Sequence, residues 1–157
     1  MNRSYSIPQW HRMALEGNAP PVRILLQGSS MSPLIRMKRD YVTVAAPEGI
    51  PVRGDIVLFA DPGRPRYVVH RVWAVKEGKV LTWGDNCPNP DGWLPAESVW
   101  GKIVLIERGR WKIKPDPGKG IRWALFWHHA GKGYRLCQKC KRGIFRIAGR
   151  LKRWICR

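Results

Sequence analysis

The sequence predicts a mostly β protein with a short N-terminal helix and a basic helical C-terminal tail. Three observations carry that expectation. Thirteen prolines and sixteen glycines punctuate 157 residues, which implies many turns. Between them lie short runs that alternate in polarity or are wholly apolar, as strands do. Beyond Gly118 the apolar residues change to a helical period, and no Asp or Glu follows Asp116.

The elements follow in order. Ser6-Ile7-Pro8-Gln9 reads as a capping box, with Ser6 as N-cap and Gln9 reaching back. Trp10, Met13 and Ala14 then share one face of a short helix that Gly17 ends. Ala19-Pro20-Pro21 breaks the chain, and Val22 to Leu26 reads as a strand running into Gly28-Ser29-Ser30. Further strands are expected over Tyr41–Ala45, Asp55–Ala60 and Tyr67–Val75, with a hairpin turn at Glu77-Gly78 into Lys79–Trp83. Residues 84–95 read as a polar loop. Val99–Glu107 and Arg110–Ile113 form a second hairpin around Gly109. Pro115-Asp116-Pro117-Gly118 reads as a linker. This divides the chain into a lead-in (1–21), a β-rich domain (22–114), the linker (115–118) and a tail (119–157). Ile121 to His129 is a short helix candidate. Ile144, Ile147, Ala148, Leu151, Trp154 and Ile155 form the apolar stripe of an amphipathic helix, with Arg146, Arg150, Arg153 and Arg157 opposite.

The length suits one domain with a core plus a modest appendage. The formal charge of +18 is unevenly placed. Twelve basic residues and no acidic ones lie in 119–157, so the seventeen basic and eleven acidic residues of 1–118 leave +6 there. A basic tail calls for an anionic partner, lipid headgroups or nucleic acid. No apolar run at the start reads as a secretory signal, and Trp123–Gly131 is too short to span a bilayer. The expected location is therefore cytoplasmic or at a membrane periphery, with Cys87, Cys137, Cys140 and Cys156 as reduced thiols.

Several residues have settings suited to chemistry. Ser30 follows a strand among small residues, in a turn that can expose a hydroxyl and free backbone N–H groups for an oxyanion. Taken alone it also fits an ordinary loop serine. Met31 reads as a core plug. His70 lies in Val68-Val69-His70-Arg71-Val72, where a strand fixes it as a base must be fixed. A buried structural histidine is the plainer alternative. Asp85 and Asp91 lie in the loop after the His70 hairpin, where either can orient an imidazole. Asp85, in Gly84-Asp85-Asn86, also suits a turn. Cys87, beside Pro88, is expected to be inert.

Taken together, four strings resemble the type I signal peptidases. They are Ser30-Met31-Ser32-Pro33, Arg53-Gly54-Asp55-Ile56-Val57, Val69-His70-Arg71-Val72 and Thr82 to Asn86 with Asp91 six residues past Asp85. Val99-Trp100-Gly101-Lys102-Ile103 resembles the family's closing strand. His70 stands where the main bacterial branch has Lys, so the resemblance is to the endoplasmic-reticulum and archaeal branch. It covers roughly residues 22–108. It implies coiled, partly barrel-like antiparallel sheets. It also implies Ser30 as nucleophile, its backbone N–H in the oxyanion hole, His70 as general base and Asp91 as orienting carboxylate. Asp85 is then a turn former or a second carboxylate. The implied reaction is cleavage of an extended precursor peptide after a small residue, without a cofactor or metal.

The chain departs from that family at three points. A short helix precedes the serine motif where the family has a membrane anchor. Gly28 stands where relatives often have an assisting Ser. The basic tail has no counterpart in the family. In that tail, Arg146, Arg150, Arg153, Arg157 and Trp154 are expected to face anionic lipid rather than a nucleic-acid sequence. Packing of the apolar stripe on the β domain is the alternative. Cys137-Gln138-Lys139-Cys140 is a lone CxxC pair, and Cys156, His128 and His129 are the residues that would complete a zinc site. Two functional alternatives remain: a non-catalytic β module that uses the tail on lipid or nucleic acid, and a self-cleaving repressor of the LexA type. The repressor family uses Ser-Lys and an N-terminal helix-turn-helix that residues 1–21 are too short to hold.

Overall fold

The computed structural model describes residues 5–128. Helix α1 (Ile7–Leu15) starts at the capping box: the Gln9 amide donates to Ser6 Oγ, and the Gln9 side chain accepts from the Ser6 amide. It ends as expected where Gly17 takes φ +72°. Its inward face carries Trp10, buried to 1% exposure, whose Nε1 donates to the Pro20 carbonyl at 2.7 Å. Gly101 admits that ring, since a Cβ there would lie 2.9 Å from Trp10.

Eight strands follow: β1 (Val22–Leu25), β2 (Tyr41–Ala45), β3 (Ile56–Ala60), β4 (Tyr67–Lys76), β5 (Lys79–Trp83), β6 (Gly92–Pro95), β7 (Val99–Arg108) and β8 (Trp111–Ile113). They form one antiparallel sheet in the order β1-β2-β7-β3-β4-β5-β6, with β8 on β7. Strand β7 holds β2 along one edge and β3 and β8, end to end, along the other. The expected partly barrel-like closure is not found. A barrel needs a continuous ladder, and the four-residue edge strands β1 and β6 share none among the described residues.

Two segments differ from expectation. Residues 84–95 are not wholly loop, because their last four form β6. Gly92 faces Thr82 and Leu94 faces Val80, and Leu94 is buried to 7% exposure. The flanking Gly and Pro hide the strand in the sequence, yet an edge strand tolerates a Pro that has no amide to pair. The 115–118 stretch is not a free linker. Pro117 opens helix α2 (117–128), earlier than the expected start at Ile121. Asp116 caps it by accepting the Lys119 amide at 2.9 Å, and Pro117 fits the first helical turn. Among the described residues no helix is long and apolar enough to cross a membrane.

Both sheet faces are covered. One core gathers Trp10, Met31, Ile35, Val69 and Ile106; the other gathers Val57, Phe59, Val72, Val80 and Leu94. This explains why β4 is buried along both faces from Val68 to Val72. Helix α2 is seated on the sheet through its small residues. Gly54, at φ +100°, has no Cβ to collide with the Pro117 backbone, and a Cβ at Gly120 would lie 2.5 Å from Arg71 Nη1. Ala124 is fully buried, and His128 packs against Trp73 and Trp83.

Candidate active site

Ser30 sits in the turn that follows β1, held from several directions. Met31 plugs the core at 1% exposure. The Ser30 carbonyl accepts the Asn86 amide at 2.7 Å, which ties the turn to the 84–91 loop. Further along, Arg108 clamps the segment to β7 by donating to Asp40 and, at 2.7 Å, to the Leu34 carbonyl. These ties leave the Ser30 amide and hydroxyl free of hydrogen bonds among the described residues. A free amide suits an oxyanion, but the Ser30 hydroxyl makes no hydrogen bond to the His70 ring, whose Nε2 pairs with Cys87 Sγ at 3.9 Å.

His70 lies on β4 opposite Val57, with its side chain 7% exposed. Its Nδ1 donates to Asp91 Oδ2 at 2.6 Å, because an ionised carboxylate can only accept. The same oxygen accepts Thr82 Oγ1 at 2.9 Å. The Asp91 amide in turn donates to the Thr82 carbonyl, at the point where β6 joins β5. The added strand therefore places the carboxylate. With Nδ1 so engaged, Nε2 carries the lone pair of the neutral ring. Nε2 faces a junction lined by Gly84, Cys87 and the Ser30 backbone. A Cβ on Gly84 would lie 2.7 Å from Cys87 Sγ, 2.8 Å from His70 Nε2 and 2.9 Å from the Ser30 carbonyl oxygen. Only glycine permits those three groups to converge.

The electrostatics of His70 oppose one another. Burial lowers its pKa, while the bond to Asp91 and the sulfur of Cys87 raise it, and the net result is a rise from 6.5 to about 9. The ring is thus charged at neutral pH, and its Nε2 lone pair is exposed only as pH rises toward 9.

Asp85 has a different partner. It is fully buried and takes a bidentate pair from Arg71, Nε to Oδ1 at 2.9 Å and Nη2 to Oδ2 at 2.7 Å. Arg71 Nη1 also donates to the Gly54 carbonyl at 3.0 Å. Of the two carboxylates weighed in the sequence, Asp91 therefore meets the imidazole and Asp85 braces the sheet beneath it.

Four participants were not singled out by the sequence. Thr82 belonged to a quoted motif without a role. Arg71 likewise stood in a quoted motif without a role, and Arg108 carries no local signal, since its partner Asp40 lies 68 residues away. Cys87, expected to be inert from its place beside Pro88, has its Sγ 3.9 Å from His70 Nε2. Trp83 Nε1 holds the Cys87 carbonyl at 3.0 Å. His11 stacks on Trp100, away from this site. Among the described residues no His, Cys, Asp and Glu cluster suits a metal. Arg146, Arg150, Arg153, Trp154 and Arg157, with Cys137, Cys140, Cys156 and His129, lie outside the described residues.

Comparison with protein-family models finds no match, and a search of curated proteins finds none either.

Proposed function

We propose that the protein is a serine endopeptidase of the signal-peptidase type. Ser30 attacks the scissile carbonyl and His70 takes its proton. Asp91 holds the ring and stabilises its charged form. The Ser30 amide contributes to the oxyanion hole. The substrate is an extended precursor peptide cleaved after a small residue. The carrying observation is the 2.6 Å bond from His70 Nδ1 to Asp91, which orients Nε2 toward the junction that the Ser30 backbone also lines. The test is mass spectrometry of a peptide library incubated with the wild type and with Ser30→Ala. Cleavage after small residues by the wild type alone is the expected result. Equal cleavage by both proteins would overturn the assignment. The reading extends to the fold: we take the mostly β antiparallel sheet to be of the signal-peptidase type, although it is not closed into a barrel.

A second reading concerns partners. On α2, Lys119, Arg122, Trp123 and Phe126 recur at i, i+3, i+4 and i+7 and line one outward face. Phe126 is 62% exposed and Trp123 43%. Basic residues beside exposed aromatics suit an anionic bilayer surface. A peripheral membrane site for the peptidase, with Arg146, Arg150, Arg153, Arg157 and Trp154 adding to the contact, follows from it. The same face would serve a non-catalytic binding module. Peptide cleavage separates the two.

A further inference from the structure

We infer that Cys87 is a modification site for peroxides and soft electrophiles, activated by His70 and able to switch off the Ser30 reaction. The effect on cleavage rests on the peptidase reading; the thiol chemistry does not.

The inference starts from the ring. Nδ1 is committed to Asp91, so Nε2 is the proton acceptor of the neutral imidazole. The side-chain hydrogen-bond partner of that nitrogen among the described residues is Cys87 Sγ, at 3.9 Å. Cys87 Sγ contacts one ring nitrogen and Asp91 the other, the set of partners with which an adjacent base activates a thiol. The backbone fixes the sulfur there. The Cys87 amide donates to the Gly84 carbonyl at 2.9 Å, and its carbonyl accepts Trp83 Nε1 at 3.0 Å. Cys87 is only half-buried, so a small reagent reaches it.

The oxidation balances without any further cofactor. With the ring neutral, His70 Nε2 accepts the thiol proton, and the sulfur attacks one oxygen of hydrogen peroxide. The O–O bond breaks, and the departing hydroxide takes the proton back from the imidazolium and leaves as water. Sulfur loses two electrons to the peroxide and becomes a sulfenic acid. A low-molecular-weight thiol then condenses with it, releasing water and leaving a mixed disulfide that excess reductant reverses. Either adduct puts added atoms on the sulfur that contacts Nε2, the nitrogen to which the peptidase reading assigns the Ser30 proton, so the modified protein loses the use of its base.

The experiment follows alkylation of Cys87 in the full chain by iodoacetamide, read by peptide mass spectrometry against glutathione at the same pH. The wild type and Ser30→Ala should label at equal rates. His70→Gln should label at least tenfold more slowly. Because His70 also packs on Phe59, Asp91→Asn provides a second variant that keeps the ring, and it should label at a rate between the two. In parallel, hydrogen peroxide should lower wild-type peptide cleavage at least fivefold, with recovery in dithiothreitol. Cys87→Ala should show no peroxide-dependent loss relative to its own untreated rate. Equal labelling in the wild type, His70→Gln and Asp91→Asn overturns the inference, as does full cleavage by protein whose Cys87 is shown to be oxidised. A wild type that cleaves no peptide yet labels Cys87 in a His70-dependent way supports the thiol site and rejects the peptidase.

Discussion

The imidazole of His70 is asked to hold a proton and to give up its lone pair. Its pKa near 9 favours the first at neutral pH. Only the neutral ring accepts the Ser30 proton, so kcat/KM for peptide cleavage should climb with pH and level off near 9. Asp91→Asn removes a group that raises the pKa, so the rising limb should move to lower pH. The plateau should fall by orders of magnitude, as for other members of such a unit. The same proton links to stability. The folded pKa lies above the ordinary value of 6.5, so its contribution is complete below 6.5 and is lost as pH rises through about 9. Urea unfolding of the wild type at pH 6 and pH 9.5 should therefore show a loss at the higher pH that His70→Gln does not share. A limb unmoved in Asp91→Asn would show that the carboxylate does not tune the base. At this scale the His70–Asp91 pair was legible because each residue sits in a short, ordered motif. The contact of Cys87 with His70 was not, because the turn at Gly84-Asp85-Asn86 is local while the histidine it reaches lies 17 residues away on β4.

The elements explain why the two carboxylates do different work. Asp91 sits where β6 joins β5, a strand the sequence hid behind Gly92 and Pro95. Asp85 sits one turn earlier and points below the sheet to Arg71 on β4, next to His70 in the chain but on the other face. That alternation sends the base to the site and its neighbour to the interior. Breaking a buried ion pair from one side leaves an uncompensated charge, which costs about 3–5 kcal/mol. Arg71→Met and Asp85→Ala should each lower the urea midpoint accordingly, while Asp91→Asn, whose side chain is 27% exposed, should lower it far less. If Asp85→Ala unfolds like the wild type but loses catalysis, Asp85 rather than Asp91 is the functional partner. Helix α2 teaches a related lesson. Asp116-Pro117 reads equally as a linker and as an N-cap followed by a first-turn proline. What decides is tertiary: Gly54 and Gly120 leave room for the helix against Arg71, and neither glycine signals this from its own neighbours.

At the scale of the whole molecule, charge and apolar surface are segregated in the same direction. The acidic residues end at Asp116, and the twelve basic residues from Lys119 onward share their segment with Trp123, Phe126, Trp127 and Trp154. Alpha helix α2 divides this inventory by face. Gly120, Ala124 and His128 turn to the sheet, Arg122 and Phe126 turn away from it, and Lys119 and Trp123 stand at the margin, where they also line a cavity with Arg71 and Ile106. The inward face removes one option for a test: cutting the chain at Gly118 would strip the cover from Arg71, Trp73 and Trp83, so lost binding would not be separable from lost packing. Point variants avoid this. Each basic residue near an anionic surface contributes about 1 kcal/mol, and the aromatic rings add the area they bury at the interface. The full chain should therefore pellet with vesicles of phosphatidylserine and phosphatidylcholine but not with phosphatidylcholine alone. Trp123→Ser with Phe126→Ser should weaken pelleting at low salt. Replacing Arg146, Arg150, Arg153 and Arg157 with Ser should weaken it further and reduce its dependence on salt. Pelleting unaffected by both sets of changes would move the membrane contact elsewhere. Pelleting absent from the wild type would leave α2 as a brace for the 84–91 loop, joined to it through His128, Trp83 and the Cys87 carbonyl.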